Sequence, residues 1–209
     1  MRKVILIGGA PATGKSTLAK ELSKNFNCPW ISADFIRSWM KTIVSKKEYP
    51  NLFRFANTTA EEHYKKYSVQ ETLDFEDLRD REVFNGVKKF ILKNDEWDIF
   101  IIEGISIHPQ FISELKSNEF EIFPIFLIDN NRNRIRDILF TRGMWGDANS
   151  YEDWVKEIEQ EYLIKINSRI MDECKELNLK HFEIKDNRQD TINDIVSLLL
   201  KELIEKRGP

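Results

Sequence analysis

Short apolar runs alternate along this chain with stretches whose apolar residues recur every three or four positions. The runs have the length and β-branched content of buried strands, and they cover residues 4–7, 28–32, 98–104, 120–129 and 180–184. The stretches between them are typical of amphipathic helices that pack on a sheet. The alternation predicts an α/β fold with a parallel sheet, and 209 residues suit a single domain, 1–209.

The longest interval between predicted strands covers residues 41–96 and carries no strong strand signal. Thr59 to Glu62 resembles a helix start, and the apolar residues between Val83 and Ile91 indicate a helix that returns to the sheet. We therefore expect a mostly helical segment here, placed where a substrate could be held.

Two local features bear on where the later elements begin. Pro124 lies inside the fourth apolar run and has no amide hydrogen, so we expect pairing of that strand to begin after it. Residues 150–153 read Ser-Tyr-Glu-Asp, which resembles a capping box at the start of a long helix. The apolar stripe along residues 154–174 is interpreted as core.

Composition narrows the class of protein. Apolar residues make up 41% of the chain and charged residues 32%, with a net charge of −3, which gives no general attraction to nucleic acid or anionic membrane. Cys28 and Cys174 lack a metal-like spacing and are expected to be reduced and buried. No apolar run approaches membrane-spanning length, and the first strand follows Met1 too closely for a signal peptide, so we predict a cytoplasmic protein.

The strongest motif follows the first apolar run. Residues 9–16, Gly-Ala-Pro-Ala-Thr-Gly-Lys-Ser, fit the pattern G-x-x-x-x-G-K-[ST], which cradles phosphate groups. We call these residues the glycine loop. Its alternative explanation is a chance match in a turn, but the strand before it and the apolar helical pattern after it are the context that the motif requires.

The chemistry of such a loop assigns distinct tasks to its residues. Gly9 permits the turn off the strand, and Gly14 gives the backbone the freedom to direct its amides at an anion. The helix that begins near Lys15 adds unpaired amides and the positive end of its dipole. Lys15 is expected to reach the β- and γ-phosphates of a nucleotide, and the Ser16 hydroxyl to bind magnesium.

Asp34 follows the second predicted strand, and in a doubly wound sheet ligands bind beyond the carboxyl ends of the strands. We expect it to lie beside the glycine loop and to contact substrate, together with Arg37. The structural alternative is that Asp34 is the N-cap of the next helix, and both roles are compatible.

Glu103 ends the third predicted strand, a position from which an acid can hold magnesium, its waters or a nucleophile. The commoner residue there is Asp, and the alternative is an acid that turns outward. His108 follows in the next loop, close enough to the same edge to touch substrate, although a lone loop histidine is more often incidental.

Arginines are concentrated in two places. Arg54, Arg79 and Arg81 in the helical segment could bind an anionic acceptor, or could be solvated surface charges. A second group begins after the fourth strand, with Gly143 and Gly146 near its end, which suggests a lid over residues 132–149 that excludes water. The members of this second group are Arg132, Arg134, Arg136 and Arg142.

Residues 8–17, 31–37 and 101–109 together resemble the 2-phosphoglycerate kinase-like branch of the P-loop kinases, which also includes zeta-type toxins. The resemblance implies a three-layer α/β/α sandwich with a five-stranded parallel sheet in the order 2-3-1-4-5. It also implies ATP with Mg²⁺ and transfer of the γ-phosphoryl group to a small hydroxyl compound. This acceptor can be a phosphorylated or an unphosphorylated molecule. The acidic residue that this branch places near the acceptor hydroxyl corresponds to Asp34.

The sequence therefore predicts a small-molecule kinase, either a monomer or a homodimer. Lys15, Asp34, Arg136 and Arg142 are the predicted catalytic residues, Asp34, Arg37 and Glu103 bind substrate, and Ser16 binds the metal. The predicted nucleotide-binding residues are Gly9, Ala10, Pro11, Ala12, Thr13, Gly14, Lys15, Ser16 and Thr17.

Two alternatives remain at this point. A zeta-toxin-like, nucleoside or nucleic-acid kinase would share the chemistry, although a polynucleotide acceptor calls for a basic surface that the balanced charge does not suggest. A nucleotide-gated regulatory protein of the GTPase type would need the motifs D-x-x-G and N-K-x-D, and neither occurs in the chain.

Overall fold

The computed structural model describes residues 1–55, 57–144 and 150–205. Within these ranges, strands and helices alternate as the apolar pattern predicts. In chain order they are β1 (Arg2–Gly9), α1 (Lys15–Phe26), β2 (Trp30–Ser32), α2 (Ala33–Ile43), α3 (Ala60–Lys66), α4 (Val69–Lys93), β3 (Ile99–Glu103), β4 (Phe120–Ile128), α5 (Arg132–Arg142), α6 (Asp153–Glu176), β5 (His181–Glu183) and α7 (Arg188–Glu205). Short 3₁₀ turns cover Asn51–Phe53 and Pro109–Glu114.

All strand pairs in the sheet are parallel, and the strand order is β2-β3-β1-β4-β5. The predicted order is therefore confirmed. The register brings the carboxyl ends of β1, β2 and β3 together, since Glu103 lies opposite Ile7 on one side and Ser32 on the other. The segments that follow β1, β2 and β3 consequently leave the sheet at one edge.

Helices cover both faces of the sheet, which confirms the three-layer sandwich. Val4 and Leu6 of β1 pack in a core with α2, α4 and α6, whereas Ile5 and Ile7 point to the opposite face and pack with α1 and α7. This alternation follows from the two-residue side-chain period of a strand. Among the described residues, no helix has both the length and the apolar content needed to cross a membrane.

The segment 41–96 is helical, as predicted. Two capping boxes start its main helices: the Thr59 side chain and Glu62 cap α3, and Ser68 and Glu71 cap α4. Each box satisfies two backbone donors that a helix start otherwise leaves open. The apolar stripe of α4 from Val83 to Ile91 packs against the sheet.

The prediction that β4 pairs only after Pro124 is wrong. The strand pairs with β1 from Phe120 onward, and Pro124 itself lies opposite Leu6. The amide of Phe126 donates to the carbonyl of Lys180 on the β5 side, and Pro124, two residues earlier, directs its nitrogen the same way. Because β5 pairs only with Phe126–Ile128, no ladder hydrogen bond is lost at Pro124.

Two predicted helix caps are also wrong. The side chain of Ser32, not Asp34, caps α2 by accepting a hydrogen bond from the amide of Phe35 at 3.0 Å, and Asp34 lies within the first turn. At α6 the N-cap residue is Glu152, with no side-chain capping bond, so Ser150 does not form the predicted capping box. In both places the N-cap lies two residues away from the residue that the sequence suggests, and helix boundaries are uncertain by this amount.

Candidate active site

The glycine loop connects β1 to α1 through an unusual backbone. Gly9, Ala12 and Gly14 have φ angles of 137°, 65° and 95°. At Gly9 a Cβ would lie 2.4 Å from the carbonyl oxygen of Leu127, so only glycine fits. Gly14 is the N-cap residue of α1 and no side chain caps that helix, so its first amides are left for a ligand.

Lys15 lies at the start of α1 and is buried. Its ammonium donates a hydrogen bond of 2.7 Å to the carbonyl oxygen of Ala10, which holds the side chain back across the loop. Burial lowers the pKa of Lys15 to about 8, and the neighbouring carboxylates of Glu103 and Asp34 counteract part of this effect. Lys15 therefore needs an anionic partner to keep its charge under mildly alkaline conditions.

Ser16 and Glu103 meet next to the loop. The Ser16 hydroxyl donates to Glu103 Oε1 at 3.0 Å, and Glu103 is only 4% exposed, so it does not turn outward. Burial raises the pKa of Glu103, although the charge of Lys15 and the bond from Ser16 lower it in part. A buried carboxylate beside a hydroxyl is an oxygen pair of the kind that Mg²⁺ prefers.

The Ser16 hydroxyl and the Glu103 carboxylate can bind a magnesium ion only together with further oxygens from a ligand and water. Among the described residues, no group of three or more His, Cys, Asp or Glu side chains could hold a metal. Magnesium commonly binds through one or two protein oxygens, with phosphate oxygens and water as the remaining ligands. Ser16 and Glu103 match that arrangement.

Asp34 lies at the same edge of the sheet, in the first turn of α2. Its side chain is 65% exposed, and its Oδ1 is 3.2 Å from Nη2 of Arg37. The carboxylate is near enough to influence the pKa of both Lys15 and Glu103. The structure thus brings Lys15, Glu103 and Asp34 together, with Arg37 attached to Asp34.

A cavity of about 430 Å³ lies over the glycine loop and the start of α1. We call it the loop cavity. Cations surround it, and its lining includes Lys15, Ser16 and Thr17 together with Arg134, Arg142 and Arg188. Its volume is in the range of small-molecule sites. An anion of nucleotide size would be neutralised from several directions here.

The arginines that follow β4 take different positions. Arg142 lines the loop cavity, whereas Arg136 lies over the Phe140 ring at 4.1 Å and is not part of that lining. Arg134 is held by Asp129 and by the carbonyl oxygen of Ile184. The catalytic roles predicted for Arg136 and Arg142 stay predictions, and of the predicted lid, residues 145–149, including Gly146, lie outside the described residues.

Arg188 forms another wall of the loop cavity, and the sequence indicates residues 186–188, after the fifth strand, as a place where an adenine could approach. As the first residue of α7, it donates from Nη2 to the carbonyl oxygen of Ala12 at 3.2 Å and passes over Gly14. A Cβ at Gly14 would lie 3.2 Å from Arg188 Cδ. The sequence signal for Arg188 is its position after the fifth strand, because that strand also ends at the edge of the sheet where ligands bind.

A second group of polar residues lies between α4 and the loop that follows β3. Buried Asp80 accepts hydrogen bonds from Arg79 and from Ser106, and its Oδ2 is 3.0 Å from His108 Nε2. Arg79 also donates to Glu76, which accepts a further bond from the Tyr162 hydroxyl. We call these residues (Glu76, Arg79, Asp80, Ser106, His108 and Tyr162) the Asp80 cluster.

Burial alone would raise the pKa of Asp80, but the Arg79 charge and the hydrogen bonds from His108 and Ser106 hold it well below its usual range. Sequence reasoning did not select Asp80. The sequence signal for Asp80 is an acidic residue within the apolar stripe of α4, three residues before Val83 and four before Phe84. His108, considered incidental from the sequence, is 5% exposed and belongs to this cluster.

The other two arginines of the helical segment contact aromatic rings. Arg54 lies 4.3 Å above the Phe75 ring, and Arg81 lies 3.7 Å above Phe111 and pairs with Glu114. Such contacts favour the structural interpretation of both residues.

Solved structures show the same fold at low sequence identity. A gluconokinase from Sinorhizobium meliloti 1021 is 10% identical over all of both chains, with a TM-score of 0.57. A shikimate kinase from Bacteroides thetaiotaomicron is 17% identical over 97% of this chain and 98% of that one, with a TM-score of 0.54. A putative kinase from Chloroflexus aurantiacus is 14% identical over 98% and 97%, also at 0.54.

No protein-family model matches the chain, and neither does any curated protein. The chain has the same α/β fold as these solved kinases. At such low identities the similarity concerns the fold alone, and the branch suggested by the sequence stays a prediction.

Proposed function

We propose that this chain is an ATP-dependent kinase that transfers the γ-phosphoryl group to a hydroxyl group of a small molecule. The observation that carries the proposal is the loop cavity, where the open amides of α1, Lys15 and further cations face one space of about 430 Å³. The structural neighbours, a gluconokinase and a shikimate kinase among them, are consistent with this chemistry.

The glycine loop and Lys15 would bind the triphosphate. Phosphoryl transfer asks a protein mainly to position the reactants and to neutralise charge. On binding, the triphosphate would take the place of the Ala10 carbonyl as the partner of Lys15. Arg142 and Arg188 line the same cavity and would add positive charge from two other elements, α5 and α7.

Ser16 and Glu103 would hold magnesium, which supplies charge neutralisation between the outer phosphates when it is bound. Glu103 would act directly or through water. The bond that joins its carboxylate to the Ser16 hydroxyl orients both oxygens toward the loop before any ligand arrives.

Asp34 would orient the acceptor. In the proposed step the acceptor hydroxyl oxygen attacks the γ-phosphorus, the bond from that phosphorus to the bridging oxygen of ADP breaks, and the hydroxyl proton passes to Asp34. Arg37 holds the carboxylate at 3.2 Å and would contact an anionic group of the acceptor. The resemblance noted from the sequence makes 2-phosphoglycerate the first acceptor to test.

The experiment is a screen of hydroxyl compounds with ATP and Mg²⁺, in which products are identified by mass. The panel contains 2-phosphoglycerate, other hydroxy acids and sugars, nucleosides and an RNA oligonucleotide. A phosphorylated small molecule supports the proposal. ATP hydrolysis that no acceptor stimulates would favour a regulatory nucleotide-binding protein, and a phosphorylated oligonucleotide would favour a nucleic-acid kinase; either result overturns it.

The matched variant is Asp34→Asn, which keeps the shape of an exposed side chain and removes the base. We expect acceptor phosphorylation to fall by 10²- to 10⁴-fold, a typical contribution of general base catalysis, with nucleotide affinity unchanged. Lys15→Met is expected to lose nucleotide binding while keeping the folded state, as judged by circular dichroism. Full turnover in Asp34→Asn would remove Asp34 from the mechanism.

A further inference from the structure

Three large apolar side chains on α2 are exposed to solvent. Phe35, Trp39 and Ile43 have exposed fractions of 64%, 59% and 62%. A spacing of four residues places them on one face of the helix. We call these residues the α2 stripe. Single exposed apolar residues are ordinary, but three on one face form a patch of the kind that marks an interaction surface.

A groove of about 620 Å³ lies beside the α2 stripe, between α2 and α4. Its lining is mainly apolar and includes Ile31, Tyr49, Phe90 and Trp97 along with the stripe itself. The two helices approach closely at Gly86, where a Cβ would lie 2.4 Å from Met40 Sδ. The groove therefore runs along a tightly packed helix pair, and an apolar groove of this kind can accept another helix.

Charges around this surface are balanced. At about 100° per residue, Asp34, Arg37 and Lys41 project from another side of α2, and Ser38 and Thr42 flank the α2 stripe. The groove wall carries two lysines and two acids, none of which forms an ion pair with a described residue: Lys89, Lys93, Asp95 and Glu96. A partner with a strong net charge of one sign, such as a nucleic acid, would find no complementary charge on this surface.

We propose that the α2 stripe is a dimer interface and that a second copy of this chain covers it. In a two-fold contact the same patch lies on both sides of the interface. The patch must therefore be complementary to a copy of itself rotated by 180°. Antiparallel α2 helices meet this condition when the axis passes near Trp39, because Phe35 of each copy then faces Ile43 of the other. The balanced wall charges let two identical surfaces meet without net repulsion.

The α2 stripe supplies part of the area that such an interface needs. Side chains of this size bury about 150–250 Å² each, so the α2 stripe at three-fifths exposure offers roughly 350 Å² per copy. A standard interface buries about 800 Å² per partner, so residues around the stripe would contribute the larger share. The two stripes would lie against each other about this axis, and the two copies would form a four-helix layer from two α2 and two α4 helices.

The first test is the oligomeric state of the purified protein by light scattering and sedimentation. We expect a dimer that becomes a monomer in Trp39→Glu, with at least a hundredfold weaker association. The matched control is Leu177→Glu, which places the same charge at an apolar residue that is 45% exposed next to the β5 side of the molecule, and should remain dimeric.

The second test is a cross-link at the proposed axis. Trp39→Cys should form a disulfide-linked dimer under mild oxidation, whereas Leu177→Cys should not. The natural thiols do not interfere, because Cys28 and Cys174 are buried. A monomeric wild-type protein, whatever else binds the groove, or a dimer that persists in Trp39→Glu and does not cross-link through Trp39→Cys, overturns the proposal. Neither readout depends on kinase activity.

Discussion

Lys15 illustrates how burial sets the chemistry of a single side chain. Among the described residues its ammonium has one hydrogen-bond acceptor, the Ala10 carbonyl, and burial brings its pKa down to about 8, far below that of a lysine in water. The charge is therefore only weakly held in the free protein. A bound triphosphate would place negative charge next to it and raise the pKa again.

Nucleotide binding should consequently depend on pH. Below pH 8 Lys15 is already charged, and binding takes up no proton. Above pH 8 the free protein has lost this proton and must regain it, so the affinity for ATP should fall by up to tenfold per pH unit. Calorimetry in buffers of different ionisation enthalpy should show uptake approaching one proton at pH 9 and almost none at pH 7.

A matched control for this measurement is Lys24→Met, which removes a surface lysine from the same helix, α1. Proton uptake should be unchanged in that variant. An affinity that stays constant from pH 7 to pH 9 would show that the charge of Lys15 does not contribute to binding.

At the scale of elements, the Asp80 cluster joins three parts of the molecule that are distant in sequence. Glu76, Arg79 and Asp80 belong to α4, Ser106 and His108 to the loop after β3, and Tyr162 to α6. That loop leaves the sheet at the edge where Glu103 lies. The cluster therefore determines how the helical segment is seated relative to the candidate active site.

We expect Asp80→Ala to lower the free energy of unfolding by about 3–5 kcal/mol, because it removes the carboxylate that pairs with buried His108 and leaves Arg79 with Glu76 alone. The matched variant Asp77→Ala removes an acid one turn away on α4 that is 43% exposed and paired with Arg169. Its cost should be about 1 kcal/mol or less. Chemical denaturation of both variants measures the difference, and equal costs would contradict the proposed role of the cluster.

At the scale of the whole molecule, the apolar runs predicted a parallel α/β sheet, and the resemblance to P-loop kinases supplied the strand order and the three layers. The place of the candidate site at the carboxyl ends of the strands was predicted from the glycine loop. Apolar runs identify buried parallel strands, and the glycine loop marks one strand end, so the remaining strand ends are brought to the same edge by topology alone. This rule on strand ends is sufficient to predict that Asp34 and Glu103 lie beside Lys15.

The missed features depend on tertiary contacts. Asp80 is exceptional only because Ser106 and His108 approach it from another element, and no local pattern shows that approach. The caps of α2 and α6 were misplaced because several neighbouring residues are suitable N-caps. The start of β4 pairing was predicted wrongly because a proline removes a ladder hydrogen bond only where its nitrogen faces a paired strand.

Pro124 has a further effect on the molecule. Within the described chain, β5 pairs with Phe126–Ile128 of β4 and does not reach Ile122 and Pro124, whose backbone groups face the same side. We expect Pro124→Val to fold and to aggregate faster on warming, as followed by light scattering. Pro50→Val, in an exposed position between helices, is the control, and equal aggregation of the two variants would contradict this role.

The reason lies in how extended chains recognise one another. A flat, unpaired strand edge presents donors and acceptors to any similar segment, and a ring without an amide hydrogen interrupts that row. The residue that looked out of place in the middle of a strand thus protects the protein, while it is being made and folded, from fibrous self-association.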